Sequence, residues 1–116
     1  MLQLTPQSRI LLALAPVDFR NGIDGLAAVC RRHFARNPLD GAIYVFRNRA
    51  GTRIKVICLD AQGVWLCVRR LHEGSFHWPR SGEAAWWLSP EQFAWLAAGV
   101  DWQRLSRDVR TLPNIV

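Results

Sequence analysis

Between residues 42 and 70 the chain reads AIYVFRN, RIKVICL and VWLCVRR, three apolar segments rich in β-branched residues. Turns built on RAG and DAQG separate them, and each turn holds a glycine able to take positive φ. Strands joined so tightly must double back as hairpins, so the middle of the chain predicts an antiparallel meander. The segments on either side must then complete a single core.

Upstream, RILLALA (residues 9–15) reads as a strand stopped by Pro16, and DFRNG (18–22) is turn chemistry leading into a helix. Ile23, Leu26, Ala27, Cys30 and Phe34 recur at helical spacing, with Asp24 near the start, where a carboxylate suits the helix dipole. NPLDG (37–41) ends that helix. Downstream, EGSFHWP (73–79) has room for a short strand, and EAAWWL (83–88) reads as the last strand. Ser89, Pro90 and Gln92 then form a capping-box start for a second helix whose stop is Gly99. The expected fold is α+β: an antiparallel β-meander sheet of about five strands flanked by two helices. Residues 1–105 form one domain in this reading, and residues 106–116 a basic, flexible tail.

Charge narrows the partner. Of fifteen Lys and Arg residues all but Lys55 are arginine, and the net charge is +6. Arginine pairs with phosphate through a flat two-pronged fork at any physiological pH. Arg47, Arg49, Arg53 and Lys55 crowd the first hairpin with no acid among them. With RAG as a three-residue loop, Arg47 lies opposite Arg53, and with DAQG as a four-residue turn, Arg53 also lies opposite Arg70. Arg47, Arg53, Lys55 and Arg70 then share one face, while Tyr44, Phe46, Ile54, Val56, Cys58, Trp65 and Cys67 form the core face. Like charges opposite one another destabilise a sheet by a few tenths to about 1 kcal/mol, so such a row points to an anion-binding surface. The competing reading is a solvated hairpin end that resists aggregation.

Six tryptophans form a second signal. Trp86 and Trp87 are adjacent in a strand and point to opposite faces. In the last helix Phe93, Leu96 and Val100 make the buried stripe. Trp95 and Trp102 fall off it and are candidate exposed anchors for a protein partner. The three cysteines show no paired spacing and read as core thiols, not as a disulfide framework. No nucleophile elbow, phosphate loop or paired-cysteine zinc pattern is present. Cys30, His33, His72 and His77 lack a metal spacing, and turn or cap roles explain Asp18, Asp24 and Asp60. The sequence predicts no enzyme activity, no metal and no cofactor. The eight-residue run ILLALAPV is too short to span a bilayer and carries no secretory signal pattern.

DFRNGIDGLAAVC, GAIYVFRNRAGTRIKVICLDAQGVWLCVRRLHEGSFHWP and LSPEQFAWLAAGVDWQRL follow one another from about Ile10 to Leu105. In this order they resemble the TnpB-type accessory protein, the second reading frame of the insertion-sequence-66 class of bacterial transposable elements. The resemblance implies a non-catalytic transposition accessory protein of the bacterial cytoplasm, at the nucleoid when DNA-bound. It implies a separate transposase that carries the catalytic triad. Together with the charge pattern it makes Arg47, Arg49, Arg53, Lys55 and Arg70 the candidate DNA contacts, directed at the element's ends. No recognition helix rich in Asn, Gln and Arg is evident, so low sequence selectivity is expected. The alternative is a module that docks on the transposase through Trp95 or Trp102 without touching DNA.

Overall fold

A computed structural model describes residues 4–5, 7–80, 82 and 84–111, with only the backbone of residue 33 and of residues 107–111. Its sheet contains β1 (Ile10–Ala13), β2 (Ile43–Arg47), β3 (Arg53–Leu59), β4 (Val64–Arg70) and β5 (Ala85–Leu88), in the order β4-β3-β2-β1-β5. The helices are α1 (Ile23–Phe34), α2 (Pro90–Ala97) and α3 (Trp102–Thr111), with a short 3₁₀ turn at Pro38–Asp40. Among the described residues no helix is long and apolar enough to cross a membrane.

The expected meander holds for β2, β3 and β4, but β1 runs parallel to β2 and the sheet is therefore mixed. The reason is the connection: α1 and the 3₁₀ turn separate β1 from β2, and a crossover of that length permits parallel pairing where a hairpin does not. β5 then returns antiparallel to the far side of β1, pairing Ile10 with Leu88 and Leu12 with Trp86. EGSFHWP forms no strand, and residues 71–80 pass as a loop under α3, held by Phe76 N–H to Gly51 O at 2.7 Å.

Both faces of the sheet are buried, not one. Leu11, Tyr44, Phe46 and Ile57 pack under Leu26, Val29 and Cys30 of α1. On the other face Ile10, Leu12, Val45, Ile54 and Val56 pack with Phe76, Leu96 and Trp102. The hydroxyl of Tyr44 is satisfied at the sheet's end, donating to Asp40 and accepting from Arg36 Nε. Burial alone would raise the Asp40 carboxyl, but bonds from Ala42 N–H, Tyr44 and Arg36 hold it below the usual carboxylate range.

A third helix exists where the sequence predicts the approach to a tail. Asp101 Oδ1 accepts from Arg104 N–H at its start, an N-cap arrangement, and α3 carries through residues 106–111. Residues 112–116 lie outside the described residues. Trp102, expected as an exposed anchor, is 1 % exposed, because its indole fills the space between α3 and the sheet. Its Nε1 donates to His77 O at 2.8 Å, and its ring stands edge-on to Trp86 at 6.1 Å. Val100, expected in the buried stripe, is exposed beyond the helix stop at Gly99, whose φ of 78° ends α2. The capping box at Ser89 and Gln92 forms as the sequence predicts.

Trp102→Ala should therefore lower unfolding free energy by about 3–5 kcal/mol in urea denaturation. Trp87, 53 % exposed with Arg36 over its ring, should lose less than about 1 kcal/mol on the same change.

Candidate nucleic-acid interface

The first hairpin closes one residue later than a three-residue loop would allow. Asn48 N–H donates to Arg53 O at 3.2 Å, so Arg47 pairs with Ile54 and Phe46 with Lys55. The cause is the Asn48 side chain: Oδ1 accepts from Thr52 N–H at 3.0 Å and from Arg53 N–H at 3.1 Å, drawing Thr52 into the turn. Gly51 takes φ 72° there, as the turn requires.

A slip of one residue moves β2 side chains to the opposite face from the one expected. Tyr44 and Phe46 lie toward α1, whereas Ile54, Val56 and Cys58 lie toward α2 and α3. The four-cation row is broken accordingly. Arg53 does lie opposite Arg70, as predicted, and Lys55 shares their face. Arg47 is on the other side of the sheet. Its Nε reaches Leu14 O and its terminal nitrogen Arg49 O, each at 3.4 Å, with Trp78 6.0 Å beneath the guanidinium. Burial there lowers its pKa. It lines a cleft of about 1140 Å³ with Asp18, Trp78 and Arg80.

Lys55 is also committed. Its Nζ donates to Phe19 O at 2.8 Å and Asn21 O at 3.0 Å, and sits 4.8 Å over the Phe19 ring. It pins the turn that leads into α1. In the same turn Arg20 grips Asp18 at 2.5 Å, and that hydrogen-bonded pairing holds the Asp18 carboxyl down to about 2.

Three of the five predicted contacts stay available. Arg49 at the turn, Arg53 and Arg70 are exposed at one end of the sheet. The ion pairs among the described residues are Arg20–Asp18 and Arg36–Asp40, and neither involves these three. The turn beneath them is fixed by Asn48, by Phe76 N–H on Gly51 O and by Leu71 N–H on Thr52 O. The result is a small platform of guanidinium groups with no ion-pair partner among the described residues, which suits a polyanion. Among the described residues no group of three or more His, Cys, Asp or Glu could hold a metal ion. Trp95 is half-buried against the core, so neither predicted aromatic anchor stands free.

Sequence reasoning missed Arg69 and Arg80. Arg69 lies on the opposite face from Arg70, and its Nε donates to Ala97 O at 2.6 Å, where a cation suits the end of α2. Strand alternation gives that signal directly. Arg80 follows Pro79 in a loop and carries no periodic signal.

The structural roles separate by stability. Lys55→Met should lower unfolding free energy by about 1–2 kcal/mol, since two carbonyls lose a charged donor. Arg53→Thr should leave stability unchanged or raise it by up to about 1 kcal/mol, because it removes a like-charge pair. Urea denaturation of both variants checks the contrast.

Residues 8–107 match the family described as IS66 Orf2 like protein. Two proteins of Sinorhizobium fredii are similar. Uncharacterized protein y4jC is 39 % identical over 99 residues, covering 85 % of each chain. Uncharacterized protein y4hO is 40 % identical over 95 residues, covering 82 % of this chain and 83 % of its own. No solved structure matches.

Proposed function

Because the chain belongs to the IS66 Orf2-like family of transposition-associated accessory proteins, we propose that it binds DNA phosphates through Arg49, Arg53 and Arg70, and in doing so assists a separate transposase. The observation that carries this reading is the Arg53–Arg70 pair. Two guanidinium groups face one another across β3 and β4 with no acid between them, a placement that lowers fold stability and is relieved when phosphate enters. Lys55 and Arg47 act differently in this proposal. Lys55 holds the loop before α1, and Arg47 holds the strand end, so both keep the platform in shape.

Contacts to phosphate carry no base information, and the exposed cations of α1 among the described side chains are Arg31 and Arg32, near its C-terminal end. Binding is therefore weakly selective for sequence, with choice of the element's ends left to DNA shape or to the transposase. The chain's own chemistry in this reading is binding, with no catalytic step.

Fluorescence anisotropy with two labelled duplexes, one bearing the element's terminal inverted repeat and one scrambled, tests the proposal over a salt series. About three phosphate contacts give a log–log salt slope near −3. Arg53→Ala with Arg70→Ala should reduce that slope by about 2 and weaken binding to both duplexes alike. A salt-independent signal, or a double variant that binds as tightly as the parent, would sink the reading.

A further inference from the structure

β4 is an unusual sheet edge. All seven of its residues are exposed, including Trp65 at 47 % and Val68 at 58 %. The sequence predicts Trp65 and Cys67 in the core, but α2 and α3 cover the middle strands and leave the outermost one bare. Edge strands are normally blunted by a charge, a proline or a bulge. From Val64 to Val68 there is none of these, and the pairing with β3 runs unbroken.

The hydrogen bonds at the two ends of β4 show which backbone groups are free. Leu71 N–H bonds Thr52 O, and Gly63 O accepts from Asp60 N–H. In an antiparallel ladder bonded pairs alternate, so Cys67 and its odd-numbered neighbours face β3. The amides and carbonyls of Val64, Leu66, Val68 and Arg70 point outward, away from β3.

We propose that β4 pairs antiparallel with β4 of a second copy of this chain, about a two-fold axis passing beside Cys67. Such symmetry keeps each sheet face continuous, so only even or odd residues can oppose their own kind. Centred on Cys67, all of residues 64–70 overlap. Leu66 meets Val68 of the second copy, Val64 meets Arg70, and Trp65 meets Arg69. The four outward-facing residues of each strand then make about eight backbone bonds. Trp65 gains a guanidinium and its apolar stem as a neighbour, a favourable contact for an exposed indole.

Charge selects the same register. With a net charge of +6 on each copy, two copies repel unless their cations are kept apart. Pairing about Cys67 sends Arg69 and Arg70 of each strand to opposite ends. There the neighbour's Asp60 turn approaches them, and Asp60 is exposed. Shifting the axis to Val68 would bring the two Arg69 residues closer together, and shifting it to Leu66 would leave Arg70 against a turn. The joined sheet has ten strands, with β5 at both outer edges.

Opposed cysteines at a non-bonded position stand about 4.5 Å apart at Cα, which makes Cys67 a reporter of this register. The test is sedimentation equilibrium of the full chain, free of DNA, with crosslinking by a short bismaleimide. Expected are a dimer of the 13.2 kDa chain and a crosslinked band that Cys67→Ser abolishes. Val68→Pro removes an outward amide and leaves the bonds to β3 in place, so it should raise the dimer dissociation constant at least tenfold. Leu66→Lys should do the same without touching the backbone, and serves if the proline variant does not fold. A chain that stays monomeric at about 100 μM would overturn the proposal. So would a dimer that survives both substitutions or fails to crosslink through Cys67.

Discussion

Strand β2 buries Ile43, Tyr44, Val45 and Phe46 in succession, two on each face, and the rest of the architecture depends on having to cover both. A sheet apolar on one side only would be served by one layer of helix. Here α1 covers one face, and α2, α3 and the loop at 71–80 cover the other. The crossover through α1 is what makes β1 parallel to β2, and β1 in turn supplies the edge on which β5 closes. Tyr44 is the polar exception among these four, and the Asp40–Arg36 pair just beyond α1 lies where its hydroxyl emerges.

Much of this was legible in the residues. Three strands and two turns between 42 and 70 follow from composition and glycine placement, and the Ser89 capping box marks the start of α2 to the residue. The β3–β4 register, with Arg53 opposite Arg70, follows from the DAQG turn length. The β2–β3 register does not, because it is decided by one side chain. Asn48 accepts two backbone amides and lengthens the loop by a residue, and no pattern of hydrophobicity announces that. The parallel placement of β1 was equally hidden, since a short apolar strand reads the same in either direction. The end of the chain was underread because the buried anchor of α3 among its described side chains, Trp102, stands at the start of an arginine-rich stretch.

The candidate site shows the same division. Sequence collects the five cations Arg47, Arg49, Arg53, Lys55 and Arg70 but cannot distinguish those already engaged. Lys55 is drawn inward by two carbonyls and a phenyl ring, and Arg47 by a strand end and Trp78. Two cations thus hold the frame on which three others stand. A basic cluster in a small protein is therefore better counted by free donors than by formal charge.

The strand order also determines when the fold can close during synthesis. β2, β3 and β4 are neighbours in sequence, so their hairpins form from local contacts soon after they emerge. β1 is made first, yet one of its two neighbours is β5, about two-thirds of the chain away, with Ile10 meeting Leu88. Until Leu88 has left the ribosome, β1 remains an open apolar edge and the face beneath Trp102 lacks its cover. The vulnerable interval for mispairing is set by translation of the last quarter of the chain, after the meander that dominates the sequence is already in place.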